Sequence, residues 1–336
     1  MRPHLLGVLL ALGICAPAAA SGGFPVSSVD TTQTGATSPG NPFRYVAFPV
    51  GHGTLLAKIR RADGATLRHR ALNGRVVVAA VAQDASTTGL SADGTTLVLA
   101  APRRGFPQRA TRLTIVDTAT LRPRSELVIR GDFGLDGVSP DARWAYLIQY
   151  RGGDPTNYAV RAYDLRRGRL APKPIVDARN PGEKMSGFSY TRATSADGRW
   201  EYTLYGGVSE PFVHALDTAG RRAFCVDLPG IDSASLSNLR LAVRHGRVDV
   251  VDGVGAAVRH IDATTFRVSK PRAGGAPAAR RAASAPPGDG GFPWVLAAVT
   301  AAVAAGLAAL AHRRYRGGTA SGRKRSTSSS SATSHA

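Results

Sequence analysis

The feature that most restricts the fold is a short pattern recurring along the middle of the chain. Ser91-Ala92-Asp93-Gly94 precedes the apolar run Leu97 to Ala101, Ser139-Pro140-Asp141-Ala142 precedes Trp144 to Ile148, and Ser195-Ala196-Asp197-Gly198 precedes Trp200 to Leu204. A second pattern, an alternating run that closes on aspartate, appears as Leu113 to Asp117, Val160 to Asp164, Val213 to Asp217 and Val258 to Asp262. Alternation of apolar and polar residues is what a half-buried strand requires, because successive side chains point to opposite faces of a sheet. The aspartates stand where a turn must follow, since a carboxylate there accepts backbone N–H groups two residues on. Gly94 and Gly198 supply the positive φ of a hairpin. The repeat length of about 45 to 56 residues marks an array of sheet units.

Thr114-Ile115-Val116-Asp117-Thr118-Ala119-Thr120 and the Ser-Pro-Asp stretch at 139 to 141 carry a resemblance. Residues 88 to 268, about half the chain, are similar to the YVTN-type and TolB-type β-propeller repeats. They depart from the pattern in lacking the Tyr-Val-Thr-Asn strand, in Ala142 at a turn glycine position, and in a fourth unit, Leu236 to Val243, without Ser-x-Asp-Gly. The resemblance implies an all-β fold of four-stranded blades set radially around a central channel. Counting the Asp turns at Asp63 (a weaker run, Ile59 to Asp63), Asp117, Asp164, Asp217 and Asp262 predicts five blades, or six if residues 42 to 90 hold another.

The two ends place this domain. Residues 1 to 20 have Arg2, an apolar run from Leu5 to Cys15, and Ala18 and Ala20 at a cleavage spacing, as a secretory signal peptide does. A lipid anchor on Cys15 is disfavoured by Ile14 ahead of it. Phe292 to Ala311 is 20 residues without a charge, followed by His312-Arg313-Arg314-Tyr315-Arg316, and reads as one transmembrane α-helix with a cytoplasmic C-terminus. Ala298, Ala302 and Gly306 on that helix would permit weak self-association. The expected order is signal peptide (1–20), low-complexity linker (21–41), extracellular propeller (42–270), stalk (271–291), span (292–311) and a basic Ser-rich tail (312–336). The expectation is a single-pass cell-membrane protein with its large domain outside and its C-terminal tail cytoplasmic.

No His-x-His or His-Glu-x-x-His spacing and no Gly-x-Ser-x-Gly elbow is present, so no metal, cofactor or catalytic set is predicted. His214 falls where the other repeats carry Thr114, Arg161 and Arg259, which predicts a solvated strand face, whereas His260 replaces an apolar residue and is expected in the core with a hydrogen bond. Cys225, between Phe224 and Val226, reads as a small residue of a buried strand. Between Phe24 and Arg272 there are 34 Lys+Arg and 22 Asp+Glu, a balance of +12 that would attract an anionic partner. The paired arginines Arg60, Arg61, Arg103, Arg104, Arg166, Arg167, Arg221 and Arg222 are the candidate polyanion-binding residues, with no nucleic-acid motif among them. The function expected is a non-enzymatic binding or scaffold module at the bacterial cell envelope, with an envelope polymer or surface protein as partner. The alternative is a lactonase-like hydrolase at the central channel, for which loop residues Asp132, Asp136, Arg179 and Glu183 are available. Those four read as ordinary solvated loop residues.

Overall fold

A computed structural model of the protein describes residues 31–207 and 210–271. The predicted signal peptide, span and tail lie outside the described residues, and among those described no helix is long and apolar enough to cross a membrane.

Five antiparallel sheets follow one another in chain order, each a meander. Blade 1 contains β1 (Phe43–Val50), β2 (Gly53–Arg60) and β3 (Thr66–Leu72), and blade 2 contains β4 (Thr96–Ala100), β5 (Ala110–Asp117) and β6 (Pro123–Arg130). Blade 3 contains β7 (Phe133–Val138), β8 (Trp144–Tyr150), β9 (Tyr158–Asp164) and β10 (Arg169–Leu170). Blade 4 contains β11 (Phe188–Thr194), β12 (Trp200–Gly206), β13 (Phe212–Asp217) and β14 (Arg222–Asp227); blade 5 contains β15 (Arg240–Arg244), β16 (Arg247–Val251), β17 (Ala257–Asp262) and β18 (Val268–Ser269). Blades 1 and 2 gain an inner fourth strand through single bridges. Ala36 pairs with Tyr45, so part of the segment read as linker belongs to blade 1, and both Val77 and Leu90 pair with β4, opposite Ala100 and Leu97. Three steps along β4 thus match thirteen along its partner, and ten residues loop out as a small hairpin around Ala80 and Thr87. That excursion is why residues 73 to 90 show no strand pattern, and it hides no sixth blade among the described residues.

The recurring residues build the turns. Ser139 Oγ donates to Asp141 at 2.7 Å and accepts from the Trp144 N–H at 2.9 Å, and Ser195 holds Asp197 and the Trp200 N–H in the same way. Asp117, Asp164, Asp217 and Asp262 each accept N–H groups from the turn that follows. Four residues beyond each of them the backbone takes positive φ, at Leu121, Gly168, Arg221 and Phe266. In blade 1 that place belongs to Arg60, whose carbonyl accepts from Gly64, so Asp63 lies three residues later than the predicted register. Blade 5 replaces the serine turn by His245-Gly246, both at positive φ, as a two-residue hairpin requires.

Because every sheet is an antiparallel meander, the serine turns and the aspartate turns emerge together on one face, here the turn face. The serine turns converge there: the Asp93 N–H donates to Pro140 at 3.3 Å, and a Cβ on Gly198 would collide with Ala92. Toward the opposite, loop face, the blade 2 hairpin crosses to blade 4, where the Gln83 and Asp84 N–H groups donate to Ser189 and Tyr190. Asp84 also pairs with Arg240 of blade 5 at 3.7 Å. The inner edges of the sheets therefore gather about one centre, and this hairpin occupies it. This is the propeller arrangement of radially set blades.

Candidate functional site

Along blade 4, alternation sends two side-chain sets to two neighbours. Tyr202, Leu204, Val213, Ala215 and Val226 join an apolar core with Leu241, Val248, Val250 and Ile261 of blade 5. On the other side Arg192, Thr203, His214 and Cys225 form a row of cross-strand partners facing blade 3. Asp136 meets that row from β7. It is the extra residue of a bulge, where Leu135 and Gly137 oppose consecutive residues of β8, and the bulge turns it inward. Arg192 pairs with the Asp136 carboxylate and carbonyl, donates to Thr203 at 2.8 Å, and lies 4.0 Å from Glu201. Burial pushes the Glu201 carboxyl up to about 7 against the pull of Arg192 and the Thr194 hydroxyl. Burial likewise depresses the His214 imidazole to about 4, and neither of its ring nitrogens has a hydrogen-bond partner among the described residues.

These residues correct three sequence expectations. His214 is only 1% exposed and faces blade 3, because β13 is covered on both sides and its alternation distinguishes two buried faces. Asp136 is 2% exposed on β7, and Asp132, 3% exposed just before it, pairs with Arg103 and accepts the Gln108 N–H at 2.8 Å. Neither is a solvated loop residue. Arg179 and Glu183 lie apart, in the connection between blades 3 and 4, where Asp177 accepts the Cys225 N–H at 2.7 Å and Arg179 donates to the Cys225 carbonyl. Cys225 is a buried free thiol on β14, as predicted, its pKa raised to about 12 by burial and next by Asp177. His260 has the predicted hydrogen bond, through Nδ1 to Asp249 at 2.7 Å, but its side chain is half-buried at the edge of β17 and not in the core. Glu201, inside the run from Trp200 to Leu204, carries no sequence signal of its placement, because burial between two blades is not a local property.

Three of the four arginine pairs reach the turn face. Arg60 and Arg61, Arg166 and Arg167, and Arg221 and Arg222 flank the aspartate turns of blades 1, 3 and 4, while Arg103 and Arg104 lie in the β4–β5 loop on the other face. Arg103 is turned inward to Asp132 and over the Tyr150 ring. Several turn-face arginines are matched by the turn aspartates: Arg60 with Asp63, Arg124 with Asp117, Arg167 with Asp164, Arg199 and Arg222 with Asp217. What is left on every blade is one or two exposed arginines without a carboxylate ion pair among the described residues: Arg61, Arg122, Arg166 with Arg169, Arg221, and Arg244 with Arg267. Arg221 stacks over Trp144 at 4.6 Å, presenting its charge from a fixed base. No set of three or more His, Cys, Asp or Glu side chains able to hold a metal ion occurs among the described residues.

The fold class these blades define is a β-propeller of five sheets. No protein-family profile matches the chain, and no curated protein does. Among solved structures it is similar to hydrazine synthase of Kuenenia stuttgartiensis (16% identity, 65% of this chain and 54% of that one, TM-score 0.39). It is also similar to TolB from Acinetobacter baumannii (14% identity, 71% and 53%, TM-score 0.39) and to BamB from Moraxella catarrhalis (16% identity, 67% and 63%, TM-score 0.34). In each of them the matched part is less than two thirds of the solved chain.

Proposed function

We propose that this protein is a binding module of the cell envelope, held by the predicted span at 292–311 with its propeller outside, and that its turn face engages an anionic envelope polymer. The observation that carries this reading is that each of the five blades presents unmatched arginines on the one face, among them Arg61, Arg122, Arg166, Arg221 and Arg267. Repetition matters because a polymer presents charge at intervals, and several weak contacts held in fixed relation reinforce one another. Of the rest of the predicted set, Arg60, Arg167 and Arg222 already have carboxylate partners and contribute background field, and Arg103 and Arg104 lie on the other face. The acidic and histidine groups expected at a hydrolase channel do gather near the centre, but Asp136, Glu201 and His214 are buried against Arg192 between two blades. That placement favours binding over hydrolysis.

The test uses the full chain in detergent on immobilised polyglutamate and polyphosphate at low and high salt. Retention that disappears between roughly 0.05 and 0.5 M salt is expected, because screening shortens the reach of exposed charges. Replacing the five arginines by glutamine should weaken retention at least about ten-fold while thermal stability moves by less than about 0.5 kcal/mol per substitution, as for exposed sites generally. No retention at low salt, or retention unchanged in the five-fold variant, overturns the proposal.

A further inference from the structure

The outer edge of blade 3 is irregular beyond β10. The Ala171 N–H donates to the Ala162 carbonyl and the Ile175 N–H to the Val160 carbonyl, each at 2.8 Å. Two steps along β9 thus match four along its partner, and Pro172-Lys173-Pro174 bows out from the sheet. The prolines fix their own φ, and Pro174 biases Lys173 toward extended backbone, so the bow is stiff. Opposite it stands the aspartate turn of blade 4, with Gly220 and Arg221. Bow and turn line one cleft of about 390 Å³ at the rim of the turn face.

Two cations and no carboxylate are among the residues that line this cleft. The side chains of Lys173 and Arg221 are exposed, and neither has a hydrogen bond or ion pair among the described residues. Arg221 stacks over Trp144 at 4.6 Å, which holds its guanidinium in place. Asp217, which accepts the Gly220 N–H at 2.8 Å, is buried and matched by Arg199 and Arg222. We propose that this cleft binds a phosphate monoester carried on a small carbon body. The inference rests on the reading of the turn face as an anion-binding surface, and it names the group that one blade junction takes. With a second pKa of about 6, a phosphate monoester is mainly a dianion above neutral pH and has three terminal oxygens. The guanidinium presents a planar fork to two of them, and the ammonium is a point charge for the third. A carboxylate has one charge and two oxygens, so it leaves a cation unmatched. The exposed rings of Pro172 and Pro174, with Ala171, offer the carbon body an apolar wall. A volume of 390 Å³ lies at the low end of the roughly 300–1,000 Å³ of ligand pockets and suits one such unit.

Phosphorus NMR titration of phenyl phosphate on the full chain in nonionic detergent, with benzoate and inorganic phosphate as competitors, tests it. Saturable binding is expected, with each competitor needing about five-fold higher concentration. Lys173→Gln should weaken binding about five-fold, equivalent to about 1 kcal/mol, the upper range of an exposed ionic contact. The same variant should keep retention on polyphosphate within about two-fold, because Lys173 is not one of the five arginines. No saturable binding of phenyl phosphate overturns the inference, and polyphosphate retention by the same preparation shows whether the reading of the turn face falls with it. Benzoate or inorganic phosphate competing as well as phenyl phosphate itself, or affinity unchanged in Lys173→Gln, overturns it equally.

Discussion

Blade 4 meets blade 5 through Tyr202, Leu204, Val213 and Val226, and meets blade 3 through Arg192, Thr203, His214 and Cys225. Both seams are closed to solvent and use the same four strands, yet their energetics differ in kind. On the blade 5 side Trp200, Phe224 and Phe266 pack as a ring cluster, with centroids 4.6 to 6.1 Å apart, and stability follows from apolar area removed from water. On the blade 3 side the charge of Arg192 is tolerable only because Asp136, Thr203 and Glu201 surround it. Such a pair adds little net stability compared with apolar residues of equal volume, but it penalises every arrangement that separates its members. The apolar seam therefore supplies most of the adhesion, while the ionic seam fixes which residues must meet.

The comparison breaks most visibly at Arg192. Arg192→Met should cost about 3–5 kcal/mol in a urea titration, because it strands the Asp136 carboxylate in a buried site. Leu204→Ala on the other face should cost about 2–5 kcal/mol as a cavity. The two are told apart by adding Asp136→Leu: it should restore much of the stability lost in Arg192→Met and none of that lost in Leu204→Ala. If Asp136→Leu restores nothing, the ionic seam is not a self-contained pair.

A smaller effect lies in the pH dependence. Glu201, raised from 4.5 to about 7, binds more protons folded than unfolded, so its contribution is fully present below pH 4.5 and is lost as pH rises through 7. His214, lowered from 6.5 to about 4, does the opposite: its contribution is present above pH 6.5 and is lost as pH falls through 4. Between pH 4.5 and 6.5 the two slopes oppose each other. Urea midpoints of the unaltered protein should change little across that window from this pair. Glu201→Gln should unmask a fall in stability on acidification, and His214→Phe a fall on alkalinisation. Variants of the apolar seam such as Leu204→Ala should leave the pH profile parallel to that of the unaltered protein, and a changed slope there would contradict the contrast.

The smallest effect concerns Cys225, at the outer end of the ionic row. With its thiol buried and its pKa raised to about 12, labelling by a thiol reagent at pH 8 should await opening of the seam between blades 3 and 4. Arg192→Met should accelerate labelling more than Leu204→Ala at equal loss of global stability; equal acceleration would mean that the two seams open together.

Much of the fold was legible because its determinants are local. Ser139, Asp141 and Trp144 satisfy one another within six residues, and Asp217 folds onto the Gly220 N–H three residues later, so the same spacing marks the same turn wherever it recurs. The expectation of five blades, with six as the alternative, followed from that repeat, and the sharing of one face by both turn types follows from the antiparallel meander of the sheets. The register of blade 1 was misread because Asp63 mimics the turn aspartate three residues late, and the blade 2 inner strand was invisible because ten looped-out residues interrupt it.

The sequence by itself determined that the chain folds as repeated sheets and which turns close them, because both rest on contacts between residues close along the chain. Only the tertiary structure decided that Asp136, Arg192, Glu201 and His214 meet, that Arg103 turns inward, and that a hairpin fills the centre. Those facts depend on a bulge and on blades packing across long stretches of chain. An alternating strand reveals that it has two faces. What each face touches is set by its neighbours, and burial by those neighbours is what moves a histidine to about 4 and a glutamate to about 7.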